Sequence, residues 1–123
     1  MSPWFHRSLS RYQFGIIAEI WVALFLFFKA YHILAIRKRT PMGEIDILAK
    51  KGDTLIIMEV KARQSHAHAR AAISKHQRAR LIRASQYIQA GNPHYAPLAI
   101  RFDCCTVSWY MGVHHIQNAF IGE

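Results

Sequence analysis

A mixed α/β domain is the fold this sequence predicts, and three observations predict it. An apolar, helix-forming stretch lies near the N-terminus, two β-forming runs flank a Gly-Asp pair, and a basic helical segment leads into an alternating run. The order helix, hairpin, helix, strand reads αββαβ, so a mixed sheet of three to five strands flanked by helices is expected. The chain has 123 residues, 52% of them hydrophobic. That size suits one domain, because domains usually hold ~100–150 residues and hide roughly two-thirds of the unfolded surface.

Residues 1–12 are basic and weakly patterned, which reads as a lead-in arm. From about Tyr12 to Tyr31 good helix formers carry apolar residues on every side. Ile33–Ile36 is long enough for a short strand, and Pro41 with Gly43 marks a turn before the next run. Glu44–Ala49 and Thr54–Lys61 are rich in β-formers, and Gly52-Asp53 suits the two-residue loop of a hairpin. After Ser65 the spacing becomes helical: Ile73, Leu81, Ala84 and Ile88 share one face, and Gly91 ahead of Pro93 marks the stop. Ile100–Val107 alternates as a strand, and the tail from Trp109 has room for one more short strand. The expected organisation is an arm at 1–13, a domain at 14–110 and a tail at 111–123.

Charge narrows the function classes. Sixteen Lys and Arg against seven Asp and Glu give +9 with histidines neutral, a field that favours polyanions such as nucleic acid or anionic lipid. Cys104 and Cys105 are adjacent and cannot staple distant segments, which excludes a disulfide scaffold and fits a reducing cytoplasm. On a strand they point to opposite faces and read as packed thiols. The tract from Phe14 to Phe28 has basic flanks like a signal, but its unbroken apolar core, Ile20–Phe28, is far short of the ~20 residues a spanning helix needs. Glu19 interrupts it, and no small-residue cleavage site comes after it. A buried or half-buried helix is expected there; membrane association through residues 14–36 is the rival reading.

The hairpin carries a geometric inference. If Gly52 and Asp53 form the loop, paired residue numbers add to 105, and Asp46 faces Glu59. Directly opposed residues have Cβ atoms ~4.5–5.5 Å apart, so two like charges repel. Lys61, two residues beyond Glu59, projects from the same face. The other face pairs Ile45 with Val60, Ile47 with Met58 and Ala49 with Ile56, and reads as core. A carboxylate pair of this kind either raises one pKa or binds a divalent cation; hard oxygen ligands suit Mg²⁺ or Mn²⁺. A cation beside a lysine is an arrangement that cleaves phosphodiesters. Spacing alone fits an exposed salt bridge among the three residues equally well.

Gly43-Glu-Ile-Asp-Ile-Leu-Ala49 followed by Met58-Glu-Val-Lys-Ala-Arg63 resembles the paired motifs of the YraN-like family of predicted nucleases, an uncharacterised protein family similar to Holliday-junction resolvases. The resemblance extends more loosely over residues 14–107. It implies a restriction-endonuclease-like fold with a PD-(D/E)xK-type site: Asp46 and Glu59 as metal ligands, Lys61 as the catalytic lysine, and Glu19 as an outer or second-metal acid. It also implies Mg²⁺ or Mn²⁺ as cofactor, branched or structured DNA as substrate, and a homodimer for cutting two strands. The sequence departs from the family at Ile45 in place of proline, at Ala18 and Ala30 in place of glycines, and over Ser65–Arg70, which lacks the glycine that commonly comes after the lysine motif.

Arg63, Arg70, Lys75, Gln77 and Arg78, continued by Arg80 and Arg83, are the expected nucleic-acid contacts, against the plainer reading of a solvated helix face. His66, His68 and His76 do not have a recurrent zinc spacing. Asp103 is expected to pair with Arg101 on its own strand, and Trp4, Trp21 and Trp109 to pack rather than stack on bases. Phosphate-loop and dinucleotide fingerprints are absent. The leading expectation is a metal-dependent endonuclease; the alternatives are a non-catalytic nucleic-acid-binding module and a membrane-associated protein.

Overall fold

The computed structural model describes residues 10–62, 73–108 and 110–120. Helix α1 (Arg11–Phe28) leads into strands β1 (His32–Thr40), β2 (Gly43–Lys51) and β3 (Thr54–Ala62), then helix α2 (Lys75–Gly91) and strands β4 (Ala99–Val107) and β5 (Val113–Phe120). The strands form one sheet in the order β1-β2-β3-β4-β5. Only β3 and β4 run parallel, as the α2 crossover between them requires; the other neighbours are antiparallel. The mixed α/β fold with helices flanking a mixed sheet is therefore present.

Each sheet face buries its own core. On one, Ala18, Val22, Ala23 and Leu26 of α1 cover Ile47, Ala49, Ile56, Met58, Val60, Cys105 and Val107. On the other, Leu81, Ala84 and Ile88 of α2 cover Ile45, Leu48, Leu55, Ile57, Phe102 and Cys104. Cys104 and Cys105 thus separate to opposite faces, and burial pushes the Cys105 thiol up. β2 and β3 read as near-continuous apolar runs because both faces are covered.

Helix boundaries obey capping chemistry. Ser10 and Gln13 form a capping box at the start of α1, and Ser74 and Gln77 form another at the start of α2. α1 stops at Phe28, three residues before the expected end, because Ala30 turns left-handed at φ +67°. The Tyr31 N–H donates to Leu26 O at 2.9 Å and the Ala30 N–H to Phe27 O at 3.0 Å, closing a Schellman motif. β1 is longer than the Ile33–Ile36 run expected: it continues through Arg37-Lys38-Arg39 to Thr40, half-exposed along the sheet edge. The last strand pairs along β4 and places Phe120 in the core, so residues 113–120, set apart in the sequence as a tail with room for one short strand, belong to the sheet. Among the described residues no helix is long and apolar enough to cross a membrane.

Candidate functional site

The site lies where β2 and β3 part. Their ladder keeps the expected register from Lys51–Thr54 to Ile47–Met58 and stops there. Asp46 does not pair with Glu59 through the backbone as the hairpin arithmetic required. Its carboxylate reaches across instead, and Oδ2 accepts the Val60 N–H at 2.9 Å. An aspartate oxygen has taken the amide that a main-chain carbonyl would otherwise hold. Alternation breaks with it: Ile45 and Val60, expected on one face, lie in opposite cores.

Around this fork four carboxylates gather from three elements. Glu59, on the central strand β3, is 4% exposed, and Lys61 sends Nζ to within 3.3 Å of its Oε1. Glu19 comes from α1 and is 8% exposed, which explains why a carboxylate interrupts an apolar helix. Glu44 stands at the start of β2. β1 supplies the counter-charge. Arg37 falls between the Ile36–Ile47 and Lys38–Ile45 pairs, opposite Asp46, with its backbone left-handed at φ +58°. Its Nε lies 3.4 Å from Glu19 Oε1 and 3.2 Å from Glu44 Oε1, and its guanidinium sits over the Tyr12 ring. Such a conformation costs an L-residue about 1 kcal/mol or more and persists only where surroundings enforce it.

Electrostatics tie the acids together. Burial, then the neighbouring Glu59 charge, push the Asp46 carboxyl up to about 7; the Val60 N–H and Lys61 oppose this. Glu19 is also raised, first by burial; Arg37 opposes, and Glu44 and Glu59 add to the rise. Two carboxylate oxygens, Glu19 Oε1 and Glu59 Oε2, are buried without a hydrogen bond. Arg37 Nε is near the first of them but not aligned to donate. Among the described residues no three His, Cys, Asp or Glu side chains are drawn tightly enough to hold a metal ion as they stand. The donor chemistry nevertheless fits a hard cation: Mg²⁺ uses one or two carboxylates and fills the rest of its shell with water and substrate oxygens. Uncommitted oxygens on buried acids are what such an ion would take.

Asp46, Glu59, Lys61 and Glu19, singled out by sequence, therefore converge. Arg37 and Glu44 were missed, although Glu44 lies inside the Gly43–Ala49 motif and the run Arg37-Lys38-Arg39 offered the cation. Of the expected nucleic-acid contacts, Lys75 and Arg78 stand in the first turn of α2, while the Gln77 side chain is engaged in the capping box. Arg63 and Arg70, with His66, His68, Trp4 and Trp109, lie outside the described residues. His76 is exposed on α2. Trp21 is 42% exposed rather than packed away, its indole N–H donating to Met111 O at 2.8 Å.

A second polar cluster lies within the β4–β5 pair. Arg101 grips Asp103 with Nε at 2.9 Å and Nη2 at 2.8 Å, the expected pair, and also donates to the Tyr31 hydroxyl. His115 Nε2 lies 2.8 Å from the same carboxylate, and the Asn118 N–H donates to it at 2.9 Å. Burial alone would raise Asp103; the bonds from His115, Arg101 and Asn118 outweigh it and hold the carboxyl below its ordinary range.

Comparison with known sequences supplies the kinship. Residues 18–107 match the profile of the uncharacterised protein family UPF0102. A UPF0102 protein of Azorhizobium caulinodans is 37% identical over 119 residues, 97% of this chain and 91% of its own length. One from Bartonella henselae is 38% identical, covering 96% of this chain and 93% of itself, and one from Rhizobium etli is 41% identical, covering 86% and 87%. With the matched region spanning the fork, the second half of α1 and all of α2, the chain belongs to the UPF0102 family.

Proposed function

We propose that the protein is a metal-dependent endonuclease of restriction-endonuclease-like type that hydrolyses phosphodiester bonds in branched or otherwise structured DNA. The observation that carries this reading is the convergence of Asp46, Glu59 and Lys61, with Glu19 from α1, at the parting of β2 and β3. Four buried or half-buried acids in a chain of net charge +9 need a cationic partner, and Arg37 and Lys61 leave two of their oxygens unbonded.

Asp46 and Glu59 would hold a Mg²⁺ or Mn²⁺ ion, with Glu19 as an outer acid. When bound, such an ion supplies Lewis acidity toward phosphate oxygens and lowers the pKa of a water. Lys61, beside Glu59 and mostly shielded from solvent, would hold its ammonium against the charge that grows on the scissile phosphate. The Val60 N–H fixes Asp46 Oδ2, so the aspartate is oriented before substrate arrives. Cutting both strands of a junction would take two copies, whose two-fold symmetry matches that of the substrate.

The test is incubation of the purified chain with linear, flapped and four-way DNA in Mg²⁺ or Mn²⁺, beside Asp46→Asn, Glu59→Gln and Lys61→Ala. Nicked product from the wild type and a loss of about 10²–10³-fold in each variant is expected. Equal product from wild type and variants would reject the assignment.

A further inference from the structure

Away from the fork, α2 and the edge strand β5 enclose an open groove of about 880 Å³. Lys75, Arg78, Arg83 and Gln86 line it from the helix, and Gln117 and Asn118 from β5. Among the described residues no carboxylate lines it, and α2 contains none. None of the fork residues lines it either.

Its cations are available. Among the described residues Lys75 and Arg83 engage no acceptor. Arg78 is braced instead: Nε donates to Ile73 O at 3.2 Å and the guanidinium lies over the Phe120 ring at 5.9 Å. Among the described residues nothing neutralises the three, so their mutual repulsion is left to the solvent unless a polyanion enters.

The spacing decides the size of that anion. At 1.5 Å per residue, Lys75 and Arg83 are ~12 Å apart along the helix, too far to close on a single phosphate, and Lys75 to Gln86 covers ~16 Å. One strand of duplex DNA places a phosphate every ~3.4 Å along its axis, so that length spans about five of them. The lining also separates duplex from single strand. Single strands are held by aromatic platforms on which bases stack. Among the described residues the one aromatic ring in the lining, Phe120, is 8% exposed and already stacked on Phe102 with centroids 4.7 Å apart. Amides and cations without a free ring suit sugar–phosphate backbone.

We propose that the α2–β5 groove is a second binding site, which holds the backbone of a nucleic-acid duplex arm without reading its bases or cutting it. This rests on nucleic acid being the ligand, as in the function proposed above, and adds where and in what form a non-reacting part of it is gripped.

Binding of a labelled 30-base-pair duplex, and of one of its strands alone, is measured by fluorescence anisotropy in EDTA over a series of salt concentrations. The full-length chain is compared with Lys75→Gln/Arg83→Gln; neither side chain carries a bond among the described residues, and circular dichroism verifies folding. The double variant is expected to bind duplex at least tenfold more weakly and to lower the slope of log K against log salt by about two. The single strand is expected to bind more weakly than the duplex. Unchanged affinity and slope in the double variant, or no duplex binding by the wild type, overturns the groove. Equal affinity for the single strand overturns its duplex preference. Groove-dependent binding without cleavage by any form supports the groove and sinks the nuclease reading of the fork.

Discussion

Ala30 shows how one residue can hold a helix end at a cost. The Schellman motif that ends α1 needs a left-handed residue after the cap, and an alanine adopts that conformation only with its Cβ crowding the backbone. Glycine escapes the clash but loses more chain entropy on folding. The balance predicts that Ala30→Gly stabilises the protein by about 0.5–1 kcal/mol, a rise of roughly 2–6 °C in thermal midpoint. Asp103 makes the opposite case, a residue that is expensive to lose. Its pKa is held below the unfolded value, so its contribution is present above the unfolded pKa of ~3.9 and lost as pH falls through the folded pKa. Asp103→Asn is expected to destabilise by about 3 kcal/mol at pH 7, because it leaves the Arg101 charge half-buried and unpaired. The gap between variant and wild type narrows on acidification below pH ~4, and denaturant titrations at several pH values measure it. A gap of constant size would contradict the role given to ionised Asp103.

Elements whose pattern has one cause are legible in the sequence, and elements ruled by two competing causes are not. The β2–β3 hairpin is readable because β-formers on both sides of Gly52-Asp53 specify loop and register together. β1 reads as four residues because Arg37-Lys38-Arg39 resembles loop composition, whereas an edge strand tolerates cations on its open side. Helix starts are obscured because a Ser-x-x-Gln box is a short signal lost among many polar residues. In α2 the box engages the Gln77 Oε1, which accepts from the Ser74 N–H at 3.4 Å. Ser74→Ala should cost about 1 kcal/mol, seen as a lower denaturation midpoint with unchanged slope. Gly43 fixes how α2 meets β2. At φ +129° it favours glycine, and a Cβ there would come within 2.5 Å of the Arg80 Nη1 that donates to Glu44 O at 2.8 Å. Gly43→Ala is therefore expected to weaken the docking of α2 next to the fork.

Across the whole molecule, charge is sorted rather than mixed. Four of the seven acids, Glu19, Glu44, Asp46 and Glu59, gather at the fork of a chain that carries sixteen Lys and Arg. The hairpin spacing points to Asp46 and Glu59 with Lys61, and Glu19 enters only through the family resemblance. Neither reveals that Arg37 turns left-handed to reach Glu19, because that depends on α1 lying across β1. The sorting makes a cation test unusually clean. A net charge of +9 repels free divalent ions, so binding at millimolar concentration reports a dedicated local cluster rather than a general atmosphere. Ligands that bind only the folded state raise its stability by RT ln(1 + [L]/Kd), about 1.4 kcal/mol when the ion is at ten times its Kd. At pH 8, above the Asp46 value of about 7, the Asp46 carboxylate is ionised. Adding 10 mM Mg²⁺ or Mn²⁺ to chelator-treated protein is therefore expected to raise the thermal midpoint by several degrees, and the rise should vanish in Asp46→Asn and Glu59→Gln. The double variant Lys75→Gln/Arg83→Gln should keep it, because those side chains touch no acid among the described residues. A wild type indifferent to both ions would mean that Arg37 and Lys61 already satisfy the fork, and its acids would then be structural.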